Sequence, residues 1–505
     1  MKPYPYLEKI NNAHVYDVAI KSPLEHAPGL SKRFNNQVFL KREDLQAVFS
    51  FKLRGAYNKI IQLDDTARAA GVITASAGNH AQGVALSSQR LNIHAIIVMP
   101  KTTPQIKVKS VKSYGADVIL HGSTYDDAYA HAKNLAAQNG MTYVHPYDDP
   151  DVIAGQGTVA KEILDQHSDP IDAIFVPVGG GGLVAGVATY VKQISPKTKI
   201  IGVEPADAAC LYEAMKAGER VTLESVGIFA DGVAVRQIGE NTFPICQQYV
   251  DEVILVGTDE ICAAIKDIFD DTRAITEPAG ALAVAALKKY VAQNNVTNQN
   301  LVAINSGANM NFDRLRYVSE RAELGENRET LLAVTIPESP GSFQTFCHAI
   351  GQRNITEFNY RYSDHDDAHV FAGIQLKPTA TEKDDLITRL HKKNYRVLDL
   401  SDNEMAKSHI RYMVGGHAAK VKNEQVYRFI FPERPGALLR FLSHMSQRWN
   451  ISMFHYRNHG AAYGRILVGI QVPDDEMKEF EEFLIKLEYP FWEETNNPAY
   501  QVFLG

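Results

Sequence analysis

Four short segments carry residues whose types and spacing could do chemistry. The first is Ser50-Phe51-Lys52-Leu53-Arg54-Gly55-Ala56, preceded by Glu43-Asp44. A lysine beside an aromatic ring at an element boundary can act as an amine nucleophile, because partial burial lowers its pKa. Taken alone, the segment reads more readily as a surface lysine at a helix start. The second is Ser76-Ala77-Gly78-Asn79-His80, between an apolar strand at Val72–Ala75 and a helix at Ala81–Gln89. Such a turn presents free backbone N–H groups to an anion, and a substrate carboxylate is a natural guest. An ordinary N-cap turn accounts for it equally well. The third is Gly179-Gly180-Gly181-Gly182-Leu183, after the strand Phe175–Val178 and before a helix at Val184–Gln193. Its glycines allow close approach of a phosphate, and the following helix dipole favours negative charge. It lacks the GKS of a nucleotide P-loop and the spacing of a dinucleotide fingerprint, so a phosphate cradle is preferred over a purely structural turn. The fourth, Asn305-Ser306-Gly307-Ala308-Asn309, follows the strand Leu301–Ile304 and places a hydroxyl at a strand's carboxyl end.

The elements that must position these residues follow an alternating pattern from about residue 37 to 310. Apolar runs at Ala95–Met99, Ala116–Leu120, Ala173–Val178, Lys199–Val203 and Leu301–Ile304 alternate with helix-like stretches such as Thr124–Asn139 and Thr258–Asp270. Fully apolar strands between amphipathic helices predict an α/β domain built on mostly parallel sheets. Ligands in such sheets lie at the carboxyl ends of strands, and the four segments are expected at the ends of one sheet.

Past residue 313 the character changes. Asp313–Thr330 is dense in charge and predicts a connecting helix. An internal repeat follows. Residues 333–362 (AVTIPESPGSFQTFCHAIGQRNITEFNYRY) match 428–458 (RFIFPERPGALLRFLSHMSQRWNISMFHYRN) at Pro337/Pro432, Glu338/Glu433, Pro340-Gly341/Pro435-Gly436 and Phe346/Phe441. With one inserted residue, Ile355, Phe358, Tyr360 and Arg361 match Ile451, Phe454, Tyr456 and Arg457, and Gly373-Ile374-Gln375 matches Gly469-Ile470-Gln471. A match this dense at fixed separation is a duplication. Each copy reads strand, Pro-Gly turn, helix, strand, strand: a small α+β module. The expected organisation is a catalytic domain at 1–320 with its smaller lobe at about 45–150, a connector at 321–330, and modules at 331–405 and 425–505.

A chain of 505 residues with 45% hydrophobic and 22% charged residues is an ordinary multidomain globular protein. Its formal net charge of −7, with no basic run, gives nucleic-acid binding no support. No apolar stretch is long enough for a membrane span, and the N-terminus does not read as a signal peptide. Cys210, Cys246, Cys262 and Cys347 form no CxxC pair, so neither a metal site nor a disulfide framework is expected and a cytoplasmic location fits.

SFKLRGA, SAGNHAQG, PVGGGGL and NSGANM together resemble the pyridoxal-phosphate enzymes of the tryptophan-synthase-β type, and most closely the biosynthetic threonine dehydratase (threonine deaminase) family. The resemblance runs the whole length, including the junction at Glu323–Glu329 and two C-terminal ACT-like modules. It implies a two-lobed pyridoxal-phosphate core with mostly parallel sheets plus α+β regulatory modules. By resemblance, Lys52 holds pyridoxal 5'-phosphate covalently, Phe51 flanks the ring, and Asn79 bonds the phenolic oxygen. Gly179, Gly180, Gly181, Gly182 and Leu183 bind the phosphate, and Ser306 faces the pyridine nitrogen. Ser76, Ala77, Gly78 and Asn79 receive the substrate carboxylate, and Lys52 takes the Cα proton. The implied activity is a threonine ammonia-lyase, the first step of isoleucine biosynthesis, converting L-threonine to 2-oxobutanoate and ammonia and also acting on L-serine. Isoleucine would inhibit and valine oppose it, in a homotetramer. The segments Glu357–Tyr360 and Met453–Tyr456 are candidate effector contacts, and apolar strand packing explains them equally well.

Three rivals remain. Serine racemases look similar but carry a second serine where this chain has Ala77, which has no ionisable group. A cysteine-synthase-like replacement enzyme differs around the motifs and lacks the modules. A non-catalytic amino-acid sensor would not need Lys52.

Overall fold

A computed structural model of the chain describes residues 6–504, apart from 338–341, 352, 354, 361–366, 378–380, 413–420, 433–448, 459–462 and 488. The chain divides into two compact units, Met1–Asn311 and Phe312–Gly505.

The first unit holds two sheets. The larger has the order β1 (Leu24–His26), β2 (Gln37–Arg42), β10 (Asn300–Asn305), β7 (Ala173–Pro177), β8 (Lys199–Pro205), β9 (Glu252–Val256). Only β1 runs antiparallel to its neighbour. The smaller is wholly parallel, in the order β5 (Asp117–Leu120), β4 (Ala95–Met99), β3 (Val72–Ala75), β6 (Thr142–Tyr143). Every residue of β3 and β7 is buried, as expected for strands covered on both faces. The expectation of a single sheet is therefore corrected. Ser76 follows β3 of the smaller sheet, while Gly179 and Ser306 follow β7 and β10 of the larger. Apolar runs predict strands but not how many sheets they form, because sheet membership is set by non-local pairing.

Helices join the two sheets through glycine contacts. The lysine helix, Lys52–Ile61, packs between Asn79–Leu91 and Pro150–Gln166. A Cβ on Gly155 would lie 2.7 Å from the Arg54 carbonyl oxygen, and one on Gly83 would lie 3.0 Å from the Leu53 nitrogen. These backbones touch because no side chain separates them.

The second unit opens with a helix at Arg314–Gly325, and β11 starts at Glu329. The predicted connecting helix thus stops earlier than the charge run, which continues into the strand. The module comprises β11 (Glu329–Pro337), a helix at Ser342–Ile350, β12 (Ile355–Tyr360), β13 (Asp367–Gln375), a helix at Glu382–Lys392 and β14 (Arg396–Asp399). Its repeat comprises β15 (Glu424–Pro432), β16 (Asn450–Asn458), β17 (Tyr463–Gln471), a helix at Met477–Lys486 and β18 (Phe491–Glu493). The sheet orders, β12-β13-β11-β14 and β16-β17-β15-β18, correspond strand for strand. Each copy carries a bulge at the same place, between Ile355 and Glu357 and between Ile451 and Met453. The second helix and fourth strand of each copy go beyond the sequence reading. Glu338, Glu433, the two Pro-Gly pairs, Arg361 and Phe441 lie outside the described residues.

The bulge residues show why the repeated glycines exist. Thr356 donates to Glu329, and Ser452 donates to Glu424. A Cβ on Gly373 would lie 3.1 Å from Glu329 Oε1, and one on Gly469 would lie 2.8 Å from Ser452 Oγ. Glycine leaves room for a hydroxyl–carboxylate pair in each copy. The third partner differs. Arg411 Nη2 stands 3.6 Å from Glu329 Oε1 while its Nε holds the Glu357 oxygens at 2.9 and 3.0 Å; Glu424 instead accepts from the Tyr500 hydroxyl. Of the candidate effector contacts, Glu357 is thereby engaged, and Phe358, Asn359, Tyr360, Phe454 and Tyr456 lie on β12 and β16.

Candidate active site

Lys52 is the first residue of its helix. Its Nζ donates to the Pro146 carbonyl oxygen at 3.0 Å and sits 5.3 Å from the centre of the Phe51 ring. Burial lowers its pKa to about 8, with the Glu277 carboxylate opposing part of that fall. The amine is thus far easier to deprotonate than a surface lysine, which is what a nucleophile or base requires. The Lys52 charge also reaches His80 and His145. Burial, with that charge adding to it, pushes the His80 imidazole down to about 3, so it stays neutral. Burial likewise takes His145 down to about 4.

Direct contacts connect three of the four segments, and the Pro146–Tyr147 stretch links the glycine turn to them. Phe51 N donates to the Ser306 carbonyl oxygen at 3.3 Å, and Ser50 forms an isolated bridge with Gly307. Asn79 Nδ2 donates to Glu277 Oε1 at 2.7 Å, and Asn79 Oδ1 accepts from Asn309 Nδ2 at 2.9 Å. The Asn79 amide is held at both ends, leaving its second N–H to donate elsewhere. Pro146, the partner of Lys52, precedes Tyr147, whose ring fills the space a Cβ on Gly180 would need. Ser306 is buried, its hydroxyl 3.3 Å from the Ala279 carbonyl oxygen.

Two turns supply anion-facing N–H groups. Gly181 has φ +93° and caps the Gly182–Ile194 helix with no side-chain hydrogen bond. Gly78 likewise precedes the Asn79–Leu91 helix without a side-chain cap, and its own N–H reaches Ser76 Oγ at 3.3 Å. In each case the first helical N–H groups have no intrahelical partner. Ser76, Ala77, Gly78 and Asn79 are all partly exposed, open to a ligand.

Glu277, Pro146 and Tyr147 were not anticipated. Glu277 precedes Pro278, the first residue of a helix, and reads in sequence as an ordinary helix start. Only its hydrogen bond to Asn79, far away in sequence, reveals it. Replacing it with glutamine keeps the shape and removes the charge that holds the Lys52 pKa up. Lys52 should then deprotonate at lower pH. The rate at which apoenzyme takes up its aldehyde cofactor, which needs the free amine, should rise at lower pH in Glu277→Gln than in the parent. Uptake profiles that coincide would show that the charge does not reach Lys52.

A half-buried lysine of lowered pKa, two helix starts without side-chain caps and an amide held at both ends are, on an α/β scaffold, the groups an aldehyde cofactor would use. A sequence profile of pyridoxal-phosphate dependent enzymes matches residues 15–307, and one of the C-terminal regulatory domain of threonine dehydratase matches twice, at 320–410 and 415–504. The chain is 56% identical to the biosynthetic L-threonine dehydratase of Burkholderia multivorans, with 100% of both chains covered. The solved processed form of threonine deaminase isoform 2 from Solanum lycopersicum matches 63% of this chain and 92% of its own, at 55% identity and a TM-score of 0.62. A solved threonine deaminase from T.th. matches 61% of this chain and 99% of its own, at 37% identity and a TM-score of 0.58. The chain belongs to the biosynthetic threonine dehydratase family of pyridoxal-phosphate dependent enzymes. The donor set fits that cofactor: one amine for the aldehyde, and an uncapped glycine turn for the phosphate. Among the described residues no helix is long and apolar enough to cross a membrane.

Proposed function

We infer that this chain removes water from L-threonine, giving 2-oxobutanoate and ammonia as the first step of isoleucine biosynthesis, under feedback inhibition by isoleucine. The observation that carries the reading is the half-buried Lys52, its amine pKa lowered to about 8 by desolvation, in a chain that matches biosynthetic dehydratases over its full length.

Pyridoxal phosphate supplies an electron sink for the charge that develops at the substrate Cα. The residues of this chain do the rest. Lys52 would hold the cofactor, and its amine, when free, would take the Cα proton of the substrate. Phe51 packs beside the ring. The N–H groups of Gly179, Gly180, Gly181, Gly182 and Leu183 bind the phosphate. Ser76, Ala77, Gly78 and Asn79 receive the substrate carboxylate, and the free N–H of Asn79 serves the phenolic oxygen. The Cα–H and β-C–O bonds break and water leaves. The remaining enamine hydrolyses, so that one threonine yields one 2-oxobutanoate and one ammonia.

Ser306 would face the pyridine nitrogen. A hydroxyl would not hold that nitrogen protonated as a carboxylate would, which would favour elimination over reprotonation at Cα. Ser306→Asp should therefore raise the ratio of solvent-proton exchange at Cα to 2-oxobutanoate formation, read by NMR in deuterated water. An unchanged ratio would remove Ser306 from that role.

Racemisation is disfavoured because Ala77 has no ionisable group. L-serine is a second substrate. The proposed domain limits are catalytic 1–320, connector 321–330, and modules 331–405 and 425–505, with isoleucine and valine as effectors and a homotetramer as the assembly. The deciding experiment is an absorbance spectrum followed by L-threonine, with and without isoleucine. A band near about 410–420 nm, as for a lysine-linked pyridoxal, together with 2-oxobutanoate formation slowed by isoleucine, supports the reading. A protein colourless after cofactor is supplied would make it a sensor.

A further inference from the structure

Arg54 lies two residues past Lys52, on the opposite side of the helix, and is fully buried together with Lys41, Glu43 and Glu162. Two cations and two carboxylates balance. Arg54 Nε donates to Glu43 Oε2 at 2.8 Å and Nη2 to Glu43 Oε1 at 2.8 Å. Nη1 and Nη2 donate to the two Glu162 oxygens at 2.7 and 3.0 Å. Thr158 Oγ1 at 3.1 Å and the Ile20 carbonyl oxygen at 3.2 Å take further donors. Lys41 Nζ donates to Glu162 Oε2 and the Ser22 carbonyl oxygen, each at 2.6 Å. The Ser22 hydroxyl donates to Glu43 Oε1 at 2.5 Å, and Gln46 Nε2 donates to Glu43 Oε2 at 3.2 Å. Burial alone would raise the Glu43 carboxyl, but Arg54 overrides it and holds the group ionised.

The placement of the anchors matters more than the charge balance. Glu43 opens the loop that ends in Ser50-Phe51-Lys52, and Arg54 lies just beyond its far end. Their fork therefore closes the loop that carries the amine. Glu162 belongs to the Pro150–Gln166 helix, which follows directly on the segment holding Pro146, the acceptor of the Lys52 amine. One guanidinium thus ties together both stretches of backbone that set where Nζ stands. A lysine ammonium carries the same charge but cannot make the two forks at once.

We propose that Arg54 is a positioning residue for Lys52, fixing the amine-bearing loop relative to the Pro146 segment through bidentate pairs with Glu43 and Glu162. This rests on Lys52 being the cofactor lysine. A misplacement of the order of an ångström at a reacting group costs about 100-fold. In the full-length holoenzyme, Arg54→Lys should lower kcat for L-threonine about 10- to 100-fold, with KM within about twofold. The pH midpoint of cofactor uptake by the apoenzyme should shift as well, because the surroundings of the amine change. Thr158→Val, which keeps the shape and removes the bond from Arg54 together with the hydroxyl's own bond to the Gly155 carbonyl oxygen, should move both readouts the same way by less, and it decides the matter if Arg54→Lys does not fold. A folded variant with a lower Tm but unchanged kcat and unchanged uptake midpoint would make the cluster a stability element only and overturn the proposal. If the parent binds cofactor but does not act on threonine, the substrate assignment fails, and the uptake midpoint still tests the positioning role.

Discussion

Lys52→Ala will remain folded and lose 2-oxobutanoate formation by on the order of 10³-fold or more, since a positioned base alone supplies about 10²- to 10⁴-fold. The two effects separate because Lys52 does little for stability. Its amine makes one hydrogen bond, to a neutral carbonyl, and such a bond is worth about 0.5–1.5 kcal/mol net. Burial already disfavours the charged form. On the roles proposed for Lys52, catalysis loses both the covalent anchor and the base. Thermal denaturation should give a Tm within a few degrees of the parent, about what that energy allows. The long-wavelength absorbance band should vanish, and a small primary amine supplied in solution should restore part of the activity. A variant keeping a tenth of parental turnover would assign the proton transfer to another group.

Gly181→Val is expected to do the reverse, striking cofactor retention and stability together. Gly181 has φ +93°, which a β-branched residue adopts only at a cost of about 1–3 kcal/mol. A Cβ there would also lie 2.7 Å from Ile238 Cδ1 and 2.8 Å from Thr242 Oγ1, adding about 1–3 kcal/mol of overpacking. The turn must move, and Thr242, whose hydroxyl binds the Gly180 carbonyl oxygen at 2.7 Å, must move with it. Since the N–H groups of this turn are the proposed phosphate donors, cofactor affinity should fall at least about tenfold, the equivalent of about 1.4 kcal/mol. Equilibrium dialysis against pyridoxal phosphate measures it. A variant that binds cofactor normally would move the phosphate away from this turn.

Much of this was legible in the residues. The apolar run Ala95–Met99 became β4 without adjustment, Ala173–Val178 became β7 to within one residue, and the helix-like stretch Thr124–Asn139 became a helix at Tyr125–Asn139. These elements are fixed by local periodicity and caps. The four segments were legible because each needs unusual small residues at an element boundary. The division into two sheets was not, since Val72–Ala75 and Ala173–Val178 look alike as runs and differ only in their partners. Glu277 was hidden for a related reason. Its role exists only because Asn79, 198 residues away, meets it across the fold. Arg54 stood within a motif already singled out, but nothing local says that its charge is fully buried or which carboxylates receive it.

The paired modules also record how a duplicated domain ages. The glycine, the hydroxyl on the bulge and the carboxylate beneath it are preserved in both copies, as geometry that the strand register cannot do without. What stands beside that carboxylate has drifted, to a guanidinium in one copy and a phenol in the other. The inherited frame is common property, whereas the polarity around it is private to each copy. A graft of one copy into the place of the other would preserve the architecture and exchange the chemistry, so the two modules are homologous without being interchangeable.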